Sequence, residues 1–209
     1  MIPFSLARGT PVIQAAILLF DGVEVLDFAA PFEVFSLAGN RIAPGTLQVR
    51  TVAAKPRVAA RNGLTVCPHG PLPNANDVDL VVLPGGPGVE AVLDSDPESV
   101  AWIQRTVSNA RWVLSICSGA LFLAKGGWLK QRRASTHHSD VALLQMMDPS
   151  ITVVHGRRYV VDGRLITSDG ISAGLDASLF VVDRLLGSKV ASDTAAWMEY
   201  ESDRWKPHD

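Results

Sequence analysis

The chain has 209 residues, enough for one α/β domain with a full core. A composition of 47% hydrophobic and 19% charged residues excludes a disordered chain, and a formal charge of −2 gives no overall electrostatic signature for nucleic acid or an anionic membrane. Two cysteines, Cys67 and Cys117, are too few for a disulfide scaffold, so a reducing, cytoplasmic compartment is expected.

Residues 1–11 read as a loose N-terminal extension and residues 12–209 as one domain. The apolar stretch 12–20 has no small-residue cleavage site after it, and it is far shorter than the about 20 residues a membrane span takes. It reads instead as a buried parallel strand from Ile13 to Phe20, ended by Asp21-Gly22. A helix follows from Ala29 to Leu37, with Pro31 in its first turn and Gly39-Asn40 as its stop. Leu47 to Ala53 alternates as a strand, and Val58 to Val66 carries the hairpin signal Asn62-Gly63. Asp79 to Leu83 is a buried strand ending at Pro84-Gly85-Gly86-Pro87-Gly88. Pro97 to Ser108 is an amphipathic helix, and Arg111 to Ile116 is the strand before Cys117. Further on come a short strand at Ala134-Ser135-Thr136, a helix from Val141 to Met147, and two strands within 152–167 joined at Asp162-Gly163. Helices from Ser172 to Leu186 and from about Lys189 to Tyr200 complete the chain. Alternating strands and helices predict a mostly parallel sheet covered on both faces, with ligands beyond the carboxyl ends of its strands.

The most informative segment is Ser115-Ile116-Cys117-Ser118-Gly119-Ala120-Leu121. A strand, a turn of small residues and a helix in that order make a nucleophile elbow, and a helix N-terminus there is expected to lower the thiol pKa. A free cysteine is also commonly just a packed apolar group, and Cys67 is read that way. The glycine-rich turn offers unobstructed backbone amides, and Gly86 with Ser118 could form an oxyanion hole. It lacks the Gly-Lys-Ser/Thr of a phosphate-binding loop. Asp27, in Leu26-Asp27-Phe28, reads either as a helix N-cap or as a buried acid paired with Cys117. Asp21 and Glu24 read as solvated or turn residues. One of His137 and His138 is expected to face the site, whereas His69 and His155 read as structural. The lack of a third ligand near Cys117 argues against zinc, and neither metal nor cofactor is expected.

These residues resemble the PfpI-type superfamily, the class I glutamine amidotransferase-like proteins. The resemblance rests on residues 17–27, on Leu83-Pro84-Gly85-Gly86-Pro87-Gly88, on Ser115 to Ala120, on Ala134-Ser135-Thr136-His137 and on residues 168–176. It extends from Ile13 to about Tyr200. The branch most resembled holds isonitrile hydratases and the N-terminal domains of AraC-type regulators. It implies a flavodoxin-like α/β/α sandwich, usually a homodimer, with Cys117 as nucleophile and Asp27 as its acid. Gly86 and Ser118 are then oxyanion amides, while Gly85, His137, Gly170 and Ile171 line the pocket. The protease branch has a histidine directly after its nucleophile, where this chain has Ser118. No His-x-Glu pair stands near the C-terminus, so peptide or glutamine hydrolysis is disfavoured. Asp169 occupies a position where the branch carries Gly or Ala. The resemblance therefore implies a cysteine-dependent hydratase converting an isocyanide to an N-formamide through a thioimidate, with a small molecule as its only partner besides a second copy. A ligand or redox sensor, or glyoxalase-like chemistry on dicarbonyls with His137 as base, are the alternatives.

Overall fold

The computed structural model describes residues 11–207, so the expected N-terminal extension falls almost wholly outside the described residues. Six strands form one sheet in the order β2 (Leu47–Val52), β1 (Ile13–Leu18), β5 (Leu80–Leu83), β6 (Trp112–Ile116), β10 (Leu165–Ser168), β9 (Tyr159–Asp162). All neighbours are parallel except β9, which runs antiparallel to β10 at the edge. Leu80-Val81-Val82-Leu83 is apolar at every position because β5 is covered on both faces, and all four side chains are fully buried. Burying such a side chain contributes about 1.5–3 kcal/mol.

The chain leaves β1 leftward to β2 and leaves β5 rightward to β6, so right-handed crossovers put the two connections on opposite faces. α1 (Val25–Leu37), α6 (Ala173–Leu186) and α7 (Ser188–Trp197) pack together as one layer. α2 (Val89–Ser95), α3 (Pro97–Asn109), α4 (Ala120–Lys125) and α5 (Val141–Met147) form the other. This is the flavodoxin-like three-layer sandwich expected from the sequence. A small hairpin of β3 (Val58–Ala59) and β4 (Thr65–Val66) turns at Asn62, whose φ is +62°, as the Asn-Gly pair predicts. Among the described residues no helix is long and apolar enough to cross a membrane.

Three elements differ from the sequence reading. α1 begins at Val25, with Glu24 as its N-cap, so Pro31 lies in the helix interior. Proline in that place carries no N–H for the Asp27 carbonyl, and the usual preference of proline for a first turn misplaced the start. α2 was not expected. Within 152–167 the segment Thr152–Val153 splits off as β8 and pairs with β7 (Arg133–Ala134), leaving β9 and β10 as the hairpin.

Strand register aligns the carboxyl ends. Leu18 pairs with Val52, Leu83 with Ser115 and Ile116 with Ser168. The loops after β1, β5, β6 and β10 therefore leave the sheet on one rim.

Candidate active site

Cys117 follows β6 directly, with φ +57°, a left-handed conformation that turns the chain sharply into a 3-10 turn and then α4. The turn is held from two sides. Thr136 Oγ1 donates to the Cys117 carbonyl at 2.9 Å, and the Gly86 amide donates to Ser118 Oγ at 2.8 Å. Only glycine fits at position 85, where an added Cβ would sit 2.5 Å from the Ser118 nitrogen and 2.9 Å from Cys117 Cβ. The Gly86 amide, assigned by resemblance to an oxyanion hole, is thus occupied by the Ser118 hydroxyl. The Ser118 and Ile171 amides are the ones that act on the sulfur.

Asp27 is fully buried in the first turn of α1. It is not the N-cap. The Gly85 amide donates to its Oδ2 at 3.0 Å, whereas Oδ1 is buried without a hydrogen-bond partner. Burial pushes its carboxyl up to about 7; the Gly85 amide opposes this and nearby Glu24 adds to it. The Cys117 thiol and the Ile171 amide also lie close enough to favour the anion, though neither closes an ordinary hydrogen bond on Oδ1. Glu24 is not simply solvated, since Arg61 Nη1 holds it at 2.6 Å.

The thiol behaves contrary to the sequence expectation. Burial, then the Asp27 charge, pushes Cys117 up to about 12. The Ser118 and Ile171 amides oppose this, while Asp140 adds to it. The short α4 does not outweigh the lost hydration of a sulfur that is only 7% exposed. At neutral pH the resting site is therefore a thiol beside a carboxyl group near its midpoint, two groups that titrate as a pair.

Of the two adjacent histidines, His137 approaches the sulfur. A nitrogen of His137, Cys117 Sγ and a carboxylate oxygen of Asp140 all lie within 4.8 Å of one another. His137 Nδ1 is 2.7 Å from Ser139 Oγ, which donates to Asp140 Oδ1 at 3.1 Å. Gly170 leaves room for the imidazole, since a Cβ there would meet His137 Cδ2 at 2.1 Å. Asp140 is the third group that sequence reasoning did not find. Its only sequence signal is the short spacing from His137 through a serine. The trio has the donors for a soft cation with an open position, and equally those of a thiol with an oriented base.

A pocket of about 480 Å³ opens beside this cluster, with Thr136, His137, His138, Gly170 and Ile171 on its wall. Cys117 stands behind that wall and touches it through Thr136, His137 and Ile171. His155, read from the sequence as structural, also lines it and is exposed. His69 is structural, with Nδ1 2.7 Å from Thr51 Oγ1. Cys67 is exposed and not packed. Asp21 pairs with Lys55 at the surface.

The DJ-1/PfpI family pattern matches residues 13–184. Isonitrile hydratase of Pseudomonas putida is 30% identical over 190 residues, which is 90% of this chain and 78% of that protein. The HTH-type transcriptional regulator GbdR of Pseudomonas aeruginosa is 26% identical over 185 residues, 88% of this chain, which spans only 50% of that regulator's length. The crystal structure of a ThiJ/PfpI family protein from Pseudomonas syringae superimposes with a TM-score of 0.79 at 27% identity, covering 96% of this chain and 84% of that one. This chain belongs to the DJ-1/PfpI family.

Proposed function

We propose that this protein is a cysteine-dependent hydratase that converts an isocyanide to an N-substituted formamide. The observation that carries the reading is the buried Asp27 carboxyl, near its midpoint at neutral pH, with one oxygen anchored by Gly85 and the other unpartnered beside the Cys117 thiol. The similarity to isonitrile hydratase adds to it. Sγ attacks the isocyanide carbon while its proton passes through Asp27 to that same carbon. The C–S bond forms, the S–H bond breaks, and the product is the thioimidate R–N=CH–S–Cys117. Water then adds to the imine carbon, the C–S bond breaks, the thiol regains its proton and R–NH–CHO leaves. Neither thiolate nor carboxylate need persist in the apolar site, which suits a sulfur with a raised pKa. The Ser118 and Ile171 amides stabilise charge as it develops on sulfur. In this proposal the chain works in the cytoplasm as a homodimer, and light scattering giving the mass of one chain would remove the dimer from it.

The test is formamide production from cyclohexyl isocyanide. Cys117→Ala should abolish it. Asp27→Asn should lower kcat by about 10²–10⁴-fold, the range for losing a general acid–base. Undiminished turnover in either variant would exclude the mechanism.

The His137–Ser139–Asp140 chain favours a second reading, addition of Cys117 to the aldehyde carbon of a small dicarbonyl with His137 moving the proton. Methylglyoxal turnover lost in His137→Ala, with no isocyanide turnover in the wild type, would select it. The similarity to GbdR supports a third, ligand sensing without turnover. Absence of both activities, with saturable ligand binding, would select that one.

A further inference from the structure

A second concavity among the described residues lies apart from the one at Cys117. A groove of about 790 Å³ lies along the edge strand β9, against α6 and the C-terminal segment. Arg133, Arg157, Arg158, Arg184 and Arg204 line it, and its one acidic lining residue is Asp169. That carboxylate already accepts the Ser135 hydroxyl. The chain as a whole carries a formal charge of −2, so this concentration of guanidinium groups is local. Among the described residues Arg133, Arg157 and Arg184 form no ion pair.

Like charges gathered in a concavity repel one another and focus a positive potential outward. The planar fork of each guanidinium matches a carboxylate or phosphate through paired hydrogen bonds. The walls are built. Arg158 Nε is bonded to the buried Asp176 at 2.7 Å and its Nη2 to Ser172 Oγ at 3.1 Å. The segment bearing Arg204 is pinned by Tyr159, whose hydroxyl donates to the Trp205 carbonyl at 2.8 Å, and by Tyr200, whose hydroxyl donates to Asp176 Oδ1 at 3.0 Å. The volume is that of a small-molecule site.

We propose that this groove binds a small polyanion, a molecule carrying two or more phosphate or carboxylate groups, at a site separate from the Cys117 thiol. Gly156, Arg158 and Asp169 belong both to this groove and to the pocket beside His137, so the two sites share a wall.

Titration calorimetry at constant ionic strength, with pyrophosphate in one arm and citrate in the other, tests the proposal independently of any turnover. Saturable one-site binding of either probe is expected; the tighter arm identifies phosphate or carboxylate as the natural group. Arg157→Gln and Arg184→Gln remove exposed side chains and should leave the thermal midpoint of the free protein unchanged. Each should weaken binding by roughly tenfold, the loss of one charge-assisted contact. Cys117→Ala should bind as the wild type does. No saturable heat with either probe, or wild-type affinity retained in both arginine variants, would overturn the proposal. Loss of isocyanide turnover would not touch it.

Discussion

Two fully buried aspartates, each in the first turn of its helix, sit on helices that pack against one another. Asp176 on α6 is satisfied on both oxygens. Arg158 pairs with Oδ2, and Tyr200 and Ser202 donate to Oδ1. Asp27 on α1 has one backbone amide and one empty oxygen. The same residue type at equal depth is in one place tied into an ion pair and two hydroxyl contacts and in the other an acid able to give and take a proton. What differs is the partners. A buried carboxyl group with no cation beside it holds its proton to a much higher pH than an exposed one, as Asp27 does.

Removing each carboxylate should have opposite consequences. Asp176→Ala leaves Arg158 without its partner and frees the C-terminal segment from α6. A loss of about 3–5 kcal/mol is expected in urea denaturation, as for other broken buried pairs. A loss below about 1 kcal/mol would mean the network is ornamental.

Asp27→Asn should stabilise the protein while destroying activity. The asparagine oxygen can still accept from the Gly85 amide, and no charge is left to bury. In the wild type the folded state keeps the Asp27 proton up to about pH 7, whereas the unfolded chain releases it near the ordinary aspartate value of 3.8. The folded state therefore binds more protons in that window, so this residue makes stability fall as pH rises from about 4 to about 7 and contributes no further slope above it. Holding the proton to about pH 7 rather than 3.8 corresponds to about 4 kcal/mol. At about pH 8 the asparagine variant should be more stable by about 2–4 kcal/mol, a gap that closes towards about pH 4. Urea midpoints of both proteins across that range check it. A variant less stable at every pH would contradict the account.

Gly85→Ala probes the contact between the glycine turn and the elbow. The added methyl must displace Ser118 or Cys117, with an expected cost of about 1–3 kcal/mol for overpacking and a fall in turnover out of proportion to it. The smallest effect is on thiol labelling. Iodoacetamide at neutral pH should modify the exposed Cys67 before the buried Cys117, as peptide mapping would detect. Prior modification of Cys117 would favour a redox-sensing thiol instead.

The sheet was legible because its evidence is local. Runs such as Leu80-Val81-Val82-Leu83 and the small residues around Cys117 carry their conformation in their own composition. The Asn62-Gly63 turn was legible for the same reason. The site was legible as a set of rim positions, since Cys117 and Asp27 meet where the strand ends suggested. Its electrostatics were not. The thiol pKa depends on burial, on the Asp27 charge and on the Ile171 amide, and neither residue 27 nor residue 171 lies near residue 117 in sequence. Pro31 pointed to the wrong helix start and so to a capping role for Asp27. Cys67 has apolar Val66 and Pro68 as neighbours, yet ends exposed beyond β4. Asp140 becomes relevant only once the loop at 137–140 folds over Cys117. The five arginines of the groove lie between positions 133 and 204 and meet only when β9, α6 and the C-terminal segment dock.

The protonation of Asp27 is the pivot of the account, and isotope-edited infrared difference spectroscopy of the wild type against Asp27→Asn reads it directly. A protonated carboxyl band absent from the variant should be present at about pH 5 and disappear with a midpoint near 7. No such band at about pH 5, or a midpoint near the ordinary carboxylate value of about 4, would contradict it.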